Sequence, residues 1–206
     1  TFDSNLTSWT DADDSGAASA WATGGYMALL GTGTGGAAAK QYQEVTVAGA
    51  DQNDEHVLNI TIQRGPVTLR VGSAINGDQY IEETILGTGV HSLAFTPTGN
   101  FFVQFQSYAS YTVLVDSVAV SGSGTMELTA PWAQADLRDI RYAQSGDVIF
   151  VACDGYQQRK IERRAATSWS IVLYEPEDGP FDIINVTPVT ISSSDTSGDV
   201  TLTASA

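Results

Sequence analysis

A single cysteine, Cys153, and two histidines, His56 and His91, are the only thiol and imidazole groups in this 206-residue sequence. One thiol rules out an internal disulfide framework and any cysteine-built zinc cluster. In the apolar run Val148-Ile149-Phe150-Val151-Ala152-Cys153 it reads as a small buried hydrophobe. Basic residues are equally scarce: 9 Lys and Arg stand against 24 Asp and Glu, a net charge of −15. No basic footprint for phosphate backbones can be built from that balance, so nucleic acid is excluded as a partner. Apolar runs stop at about 6 residues, far short of the roughly 18 that cross a bilayer as a helix. There is no G-x-S-x-G elbow, and the nearest cation to Cys153 in sequence is Arg159. Glu82 and Glu83 are adjacent on a strand and point to opposite faces, so they cannot flank one glycosidic bond. The expectation is a protein without catalytic residues.

What the sequence does have is alternation. At 42% hydrophobic residues it can bury a core, and period-two patterns run through 25–30, 42–47, 57–63, 67–71, 80–86, 91–95, 101–108 and 112–120. Turn chemistry separates them, as in Asn76-Gly77-Asp78 and Thr96-Pro97-Thr98-Gly99-Asn100. Eight short strands without a long helix predict an all-β jelly-roll sandwich. Trp9, Leu6, Leu29, Leu58, Ile60, Ile62, Leu69, Phe95 and Leu114 are its expected core. Ser121-Gly122-Ser123-Gly124 reads as a linker, dividing residues 1–122 from a smaller, hairpin-rich β segment at 123–206. The second part carries strands near 147–153, 159–163, 169–174, 183–191 and 200–203, with a helical turn around 135–140. Thr1 without a methionine, and Ala206 just after a strand-like run, suggest a piece of a longer chain.

Three local patterns have a functional and a plain reading. Gly31-Thr32-Gly33-Thr34-Gly35-Gly36 matches the dinucleotide fingerprint in letters, but too few residues follow for its helix, which leaves a glycine turn. Asp11-Ala12-Asp13-Asp14-Ser15-Gly16 opens like an EF-hand loop, yet its twelfth position is Ala22, so a looser calcium loop or a solvated acidic turn remains. Arg159, Lys160, Arg163 and Arg164 form a basic hairpin that either pairs with local acids such as Glu162 and Asp154 or docks an acidic partner, including another copy of the chain. The two histidines read as surface or strand-edge residues.

Phe2-Asp3-Ser4-Asn5-Leu6-Thr7-Ser8-Trp9, Gly25-Tyr26-Met27-Ala28-Leu29, Phe95-Thr96-Pro97-Thr98-Gly99 and Val115-Asp116-Ser117-Val118 resemble the jelly-roll carbohydrate-binding modules of the galactose-binding-like group. That resemblance implies a buried Trp9 and a structural Ca2+ beside Asp116, with the turn near Asp3 as its neighbour; the group's second carboxylate is Ser117 here. Pro131-Trp132, Asp136-Leu137, Ile140-Arg141-Tyr142 and Gln144 to Val148, continuing to Glu177-Asp178-Gly179-Pro180-Phe181, resemble structural proteins of bacteriophage tails, including the tail-nozzle type. Cys153-Asp154-Gly155 replaces that family's His-Pro turn. The resemblances together imply an extracellular virion component that contacts other tail proteins or copies of itself, and surface glycans. A ligand-free spacer, or a module cut from a secreted polysaccharide-degrading enzyme, are the competing readings. Strand parity puts the ligand face at Arg70, Gln104 and Gln106, with Tyr80 or Phe102 as platform and Glu82 as a further polar contact.

Overall fold

Sixteen strands and one 3-10 turn, with no α-helix, account for the regular structure among the described residues of the computed structural model, which are 2, 4–122, 124–176, 191–194 and 201–205. The strands are β1 (Thr10–Asp11), β2 (Ala18–Ala22), β3 (Tyr26–Leu30), β4 (Ala39–Val45), β5 (His56–Arg64) and β6 (Val67–Gly72). They continue as β7 (Ile81–Leu86), β8 (Gly89–Phe95), β9 (Phe101–Ser107) and β10 (Val113–Ser121). After the 3-10 turn at Gln134–Arg138 come β11 (Arg141–Ser145), β12 (Val148–Cys153), β13 (Tyr156–Ala165) and β14 (Ser168–Leu173), then β15 (Ile191–Ser193) and β16 (Leu202–Ala204). The expected strand at 183–191 lies almost wholly outside the described residues.

Two antiparallel sheets form the sandwich, one ordered β1-β4-β9-β6-β7 and the other β11-β12-β13-β14-β8-β5-β10-β3-β2. The alternation of Leu58, Ile60 and Ile62 with Asn59, Thr61 and Gln63 sends the first set inward, where all three are buried. Leu69, Val71, Phe101 and Phe105 meet them from the five-stranded sheet. Each such side chain withdrawn fully from water contributes roughly 1.5–3 kcal/mol. The fold is an all-β jelly-roll sandwich, extended by a hairpin meander. Met27, Leu29, Leu86, Val57 and Val67 are likewise fully buried.

Most of the expected core is there, with two adjustments. Leu6 and Trp9 are half-buried and pack against the cluster from its margin, Trp9 with its ring centroid 5.6 Å from Phe105. Leu114 faces away from the core, and its neighbours Val113 and Val115 point in. Register shifts in the β5–β10 ladder on both sides of Val115 break the simple parity count there.

The histidines correct a second expectation: neither is a surface residue. His91 is 2% exposed and His56 6% exposed. Each finds a backbone carbonyl, His91 through Nε2 to Gly87 O at 2.8 Å and His56 through Nδ1 to Asp54 O at 3.0 Å. Such partners let a neutral imidazole sit among apolar groups. His56 also packs against Phe95 and Phe101.

The meander continues the larger sheet through β14, which pairs with β8 from Ser168↔Leu93 to Val172↔Gly89. Strands β11 to β14, after the Ser121–Gly124 stretch, therefore share a sheet with strands before it. The chain divides into two units, Thr1–Tyr174 and Glu175–Ala206. Within the second, β15 pairs with β16. The 3-10 turn is tied to the meander by Tyr156, whose hydroxyl donates to Asp136 Oδ2 at 2.6 Å and accepts from Ala133 N–H at 3.1 Å. Arg164 crosses to the smaller sheet, donating to Ile85 O and Thr84 Oγ1 at the open edge of β7. Lys160 pairs with Glu162, and Arg163 with Asp147. The basic hairpin thus meets Glu162 as expected, with Asp147 taking the place foreseen for Asp154.

Candidate carbohydrate-binding face

The outer surface of the five-stranded sheet is assembled by register. Gln104 on β9 stands between Tyr42 on β4 and Arg70 on β6. Two residues earlier Phe102 faces Glu44, and two residues later Gln106 lies between Lys40 and Thr68. Period two puts Phe102, Gln104 and Gln106 on this face because Val103 and Phe105 are buried in the core. Four of the six residues expected at the ligand face, Arg70, Phe102, Gln104 and Gln106, therefore come together.

Tyr80 and Glu82 do not join them. Ile81 opposes the inward Val71, and a register shift follows between Leu69 and Val71. Tyr80 packs against the core with its ring 6.3 Å from Phe95, and its hydroxyl lies 2.9 Å from Thr98 Oγ1. Glu82 lines a separate cleft with Arg164 and Ser168. Glu83 takes the place foreseen for Glu82, forming an ion pair with Arg70.

The loop after β6 bridges the two polar residues. Asn76, with a left-handed φ of 63°, donates its N–H to Gln104 Oε1 at 3.1 Å and offers its carbonyl to Arg70 Nη1 at 3.3 Å. This loop is why Gln104, outward by parity, is only 3% exposed. The donated N–H also fixes the amide orientation, since an NH2 group cannot accept it. One donor on each residue is then left over: Gln104 Nε2 and Arg70 Nε are buried without a hydrogen-bond partner. Beside them the half-exposed rings of Tyr42 and Phe102 lie 6.1 Å apart at 57°.

Next along β9 the face opens into a groove of about 670 Å3, floored by Thr68 and Gln106. Tyr108, Tyr111 and Ile85, between 41% and 62% exposed, form its walls with the turn Gly33–Gly36. Tyr111 is held in place by its hydroxyl, which donates to Gly65 O, and by the Arg64 guanidinium 5.0 Å above its ring. Gly31 explains the glycine turn, because a Cβ there would meet the Tyr108 backbone at 2.5 Å. With that space free, Gly31 N–H reaches Ala109 O and Gly33 N–H reaches Tyr108 O, both at 2.8 Å. No helix follows the turn; Ala39 opens β4. Sequence reasoning missed Tyr42, Glu83, Tyr108 and Tyr111; the first was findable once β4 was set beside β9.

The acidic turn uses its carboxylates internally. Asp13 Oδ2 accepts from the N–H and hydroxyl of Ser19, and its Oδ1 accepts from Lys40 N–H at 2.6 Å. Asp14 accepts from Ala38 N–H and pairs with Lys40 Nζ at 2.6 Å. That side-chain bond from Lys40 holds the Asp14 carboxyl below its ordinary value. Asp116 is half-exposed on β10, and Asp3 lies outside the described residues. Among the described residues no group of three or more His, Cys, Asp or Glu could hold a metal ion. No helix among them is long and apolar enough to cross a membrane.

The face thus sets the half-exposed rings of Tyr42 and Phe102 near Arg70, with the tyrosine-walled groove beside them, an arrangement of aromatic surface and polar groups that a small ligand could occupy. Compared with known proteins, the chain matches no family model and no curated protein.

Proposed function

We propose that this is a non-catalytic module that binds neutral glycans on the outer face of its five-stranded sheet. The reading rests on the half-exposed rings of Tyr42 and Phe102, 6.1 Å apart near the partly exposed Arg70 side chain, with the groove walled by Tyr108 and Tyr111 next along the face. A pyranose offers hydroxyl groups around its rim for Arg70 and an apolar C–H face to stack on an aromatic ring. Arg70 is already paired with Glu83, and the chain's net charge is −15, so acidic sugars are disfavoured. Structural Ca2+ plays no part in this reading. The tail-like residues between 131 and 181 support a wider setting in an extracellular bacteriophage tail, in contact with other tail proteins.

A glycan array probed with a multimerised form of the chain tests this reading, with single-site dissociation constants expected in the roughly 0.1–1 mM range. Phe102→Ala and Arg70→Ala should each remove most of the signal. Tyr80→Ala, off the face, should leave the pattern of hits intact. A blank array, or hits indifferent to Phe102 and Arg70, would leave the ligand-free spacer as the function.

A further inference from the structure

We propose that β11 is a self-association edge, on which two copies of the chain pair antiparallel about a two-fold axis beside Ala143. β11 ends the nine-stranded sheet, and all five of its residues are exposed. Among the described residues no strand pairs with its outer side. Natural edge strands are usually blunted by proline, a bulge or an inward charge. Arg141-Tyr142-Ala143-Gln144-Ser145 contains no proline, and its ladder to β12 runs without a register shift. Its one charge is at the end.

The register makes this edge complementary to itself. Ser145 and Val148 close a two-residue turn, so they form a hydrogen-bonded pair, and alternation makes Ala143–Phe150 and Arg141–Ala152 hydrogen-bonded pairs as well. The backbone groups of Tyr142 and Gln144 then point outward, unmet. In an antiparallel pairing centred on Ala143, Tyr142 of one copy bonds Gln144 of the other, and the reverse. Ala143 faces its own counterpart in the non-hydrogen-bonded, closer type of pair, where a methyl group is the side chain that fits. Arg141 falls opposite Ser145, so within the strand no charge meets its like.

Charge also selects this edge. A chain with a net charge of −15 repels its copies almost everywhere, yet residues 138–164 hold six basic residues against four acidic ones. The acids are Asp139, Asp147, Asp154 and Glu162, and Glu162 and Asp147 are engaged by Lys160 and Arg163. Tyr142, 75% exposed, gains cover from the second copy, and the adjoining groove of about 390 Å3 along Ala143, Phe150 and Tyr174 is extended across the axis. Pairing through one five-residue strand gives a weak dimer that fills with concentration and tightens as salt screens the net charge.

Cysteine trapping in the full chain tests the register. Ala143→Cys puts two thiols on the axis at a spacing that a disulfide accepts, so mild oxidation should yield a cross-linked species of twice 21.8 kDa. Ser145→Cys, which would face Arg141 of the other copy, should cross-link far less, and the native Cys153 is buried. As a second measurement, sedimentation of Ala143→Lys should show association weakened more than about tenfold. An equimolar mixture of Ala143→Lys and Ala143→Glu chains should recover it. Equal trapping at 143 and 145, no trapping at 143, or dimers indifferent to Ala143→Lys would each overturn the proposal, including in favour of a foreign strand as the occupant of this edge.

Discussion

His91 shows how one side chain couples this fold to solution conditions. Burial pushes its imidazole from the ordinary 6.5 down to about 4, against the opposing pull of its bond to Gly87 O. Its Nδ1 has no hydrogen-bond partner to hold a second proton, and the Glu162 carboxylate offsets the burial only in part. Because the folded value lies below the unfolded one, the unfolded chain takes up the proton first as pH falls. Stability from this group is whole above about 6.5, drains as pH drops toward 4, and levels off beyond. Its full extent is roughly 3 kcal/mol. Urea unfolding at steps across that window should show the loss, and His91→Gln should flatten it relative to the wild type. Carboxylates such as Asp14 begin to contribute at the acid end, so the comparison with the variant carries the result. A wild-type slope equal to that of His91→Gln would contradict the assignment.

At the scale of elements, the seam between β8 and β14 is where the meander joins the sandwich. Gly89 sits in it with a φ of 145°, and a Cβ there would come within 2.2 Å of Ile171 O. Gly89→Ala should cost about 2 kcal/mol or more, by strain and by separating the strands. Hydrogen exchange should then quicken in residues 168–173 while residues 57–62 keep their protection; equal loosening of both would refute a local seam. The same scale shows how far the sequence could be read. Leu58, Ile60 and Ile62 announced β5 because one of its faces is wet and the other dry. β2 went unread because Ala18, Ser19, Ala20 and Ala22 are too small to mark an alternation. β11 went unread because both its faces are exposed, which removes the apolar signal that parity depends on. Parity correctly sent Arg70, Gln104 and Gln106 outward, but it carries no information about the loop through Asn76 that covers Gln104. Tyr80 and Leu114 were misplaced beside register shifts, which are properties of paired strands and invisible in either strand alone.

The whole molecule is governed by the sharing of one sheet between the sandwich and the meander. Glycine and serine at 121–124 suggested a boundary, yet β8 has β5 on one side and β14 on the other. A fragment of residues 1–174 should melt in a single cooperative transition. Residues 1–122 alone would carry β8 as a bare edge, with His91 stripped of its neighbour Ser170, and should melt at least about 5 °C lower. Calorimetry of the two fragments decides it, since equal melting temperatures would make the meander an independent passenger. At the same scale the net charge of −15 opposes crowding of copies, which leaves the locally basic residues 138–164 as the direction of least repulsion.

The position of β14 also sets an order of events while the chain is being made. β8 leaves the ribosome beside its local partner β5, but its second neighbour arrives only after β9, β10 and the first three strands of the meander. β11 to β14 are joined by short connections and can zip among themselves, since contacts close in sequence form quickly. The newborn protein therefore holds an open sheet edge until a preformed meander swings in to close it. Refolding from denaturant should repeat that history as a fast collapse of the sandwich followed by a slower docking step.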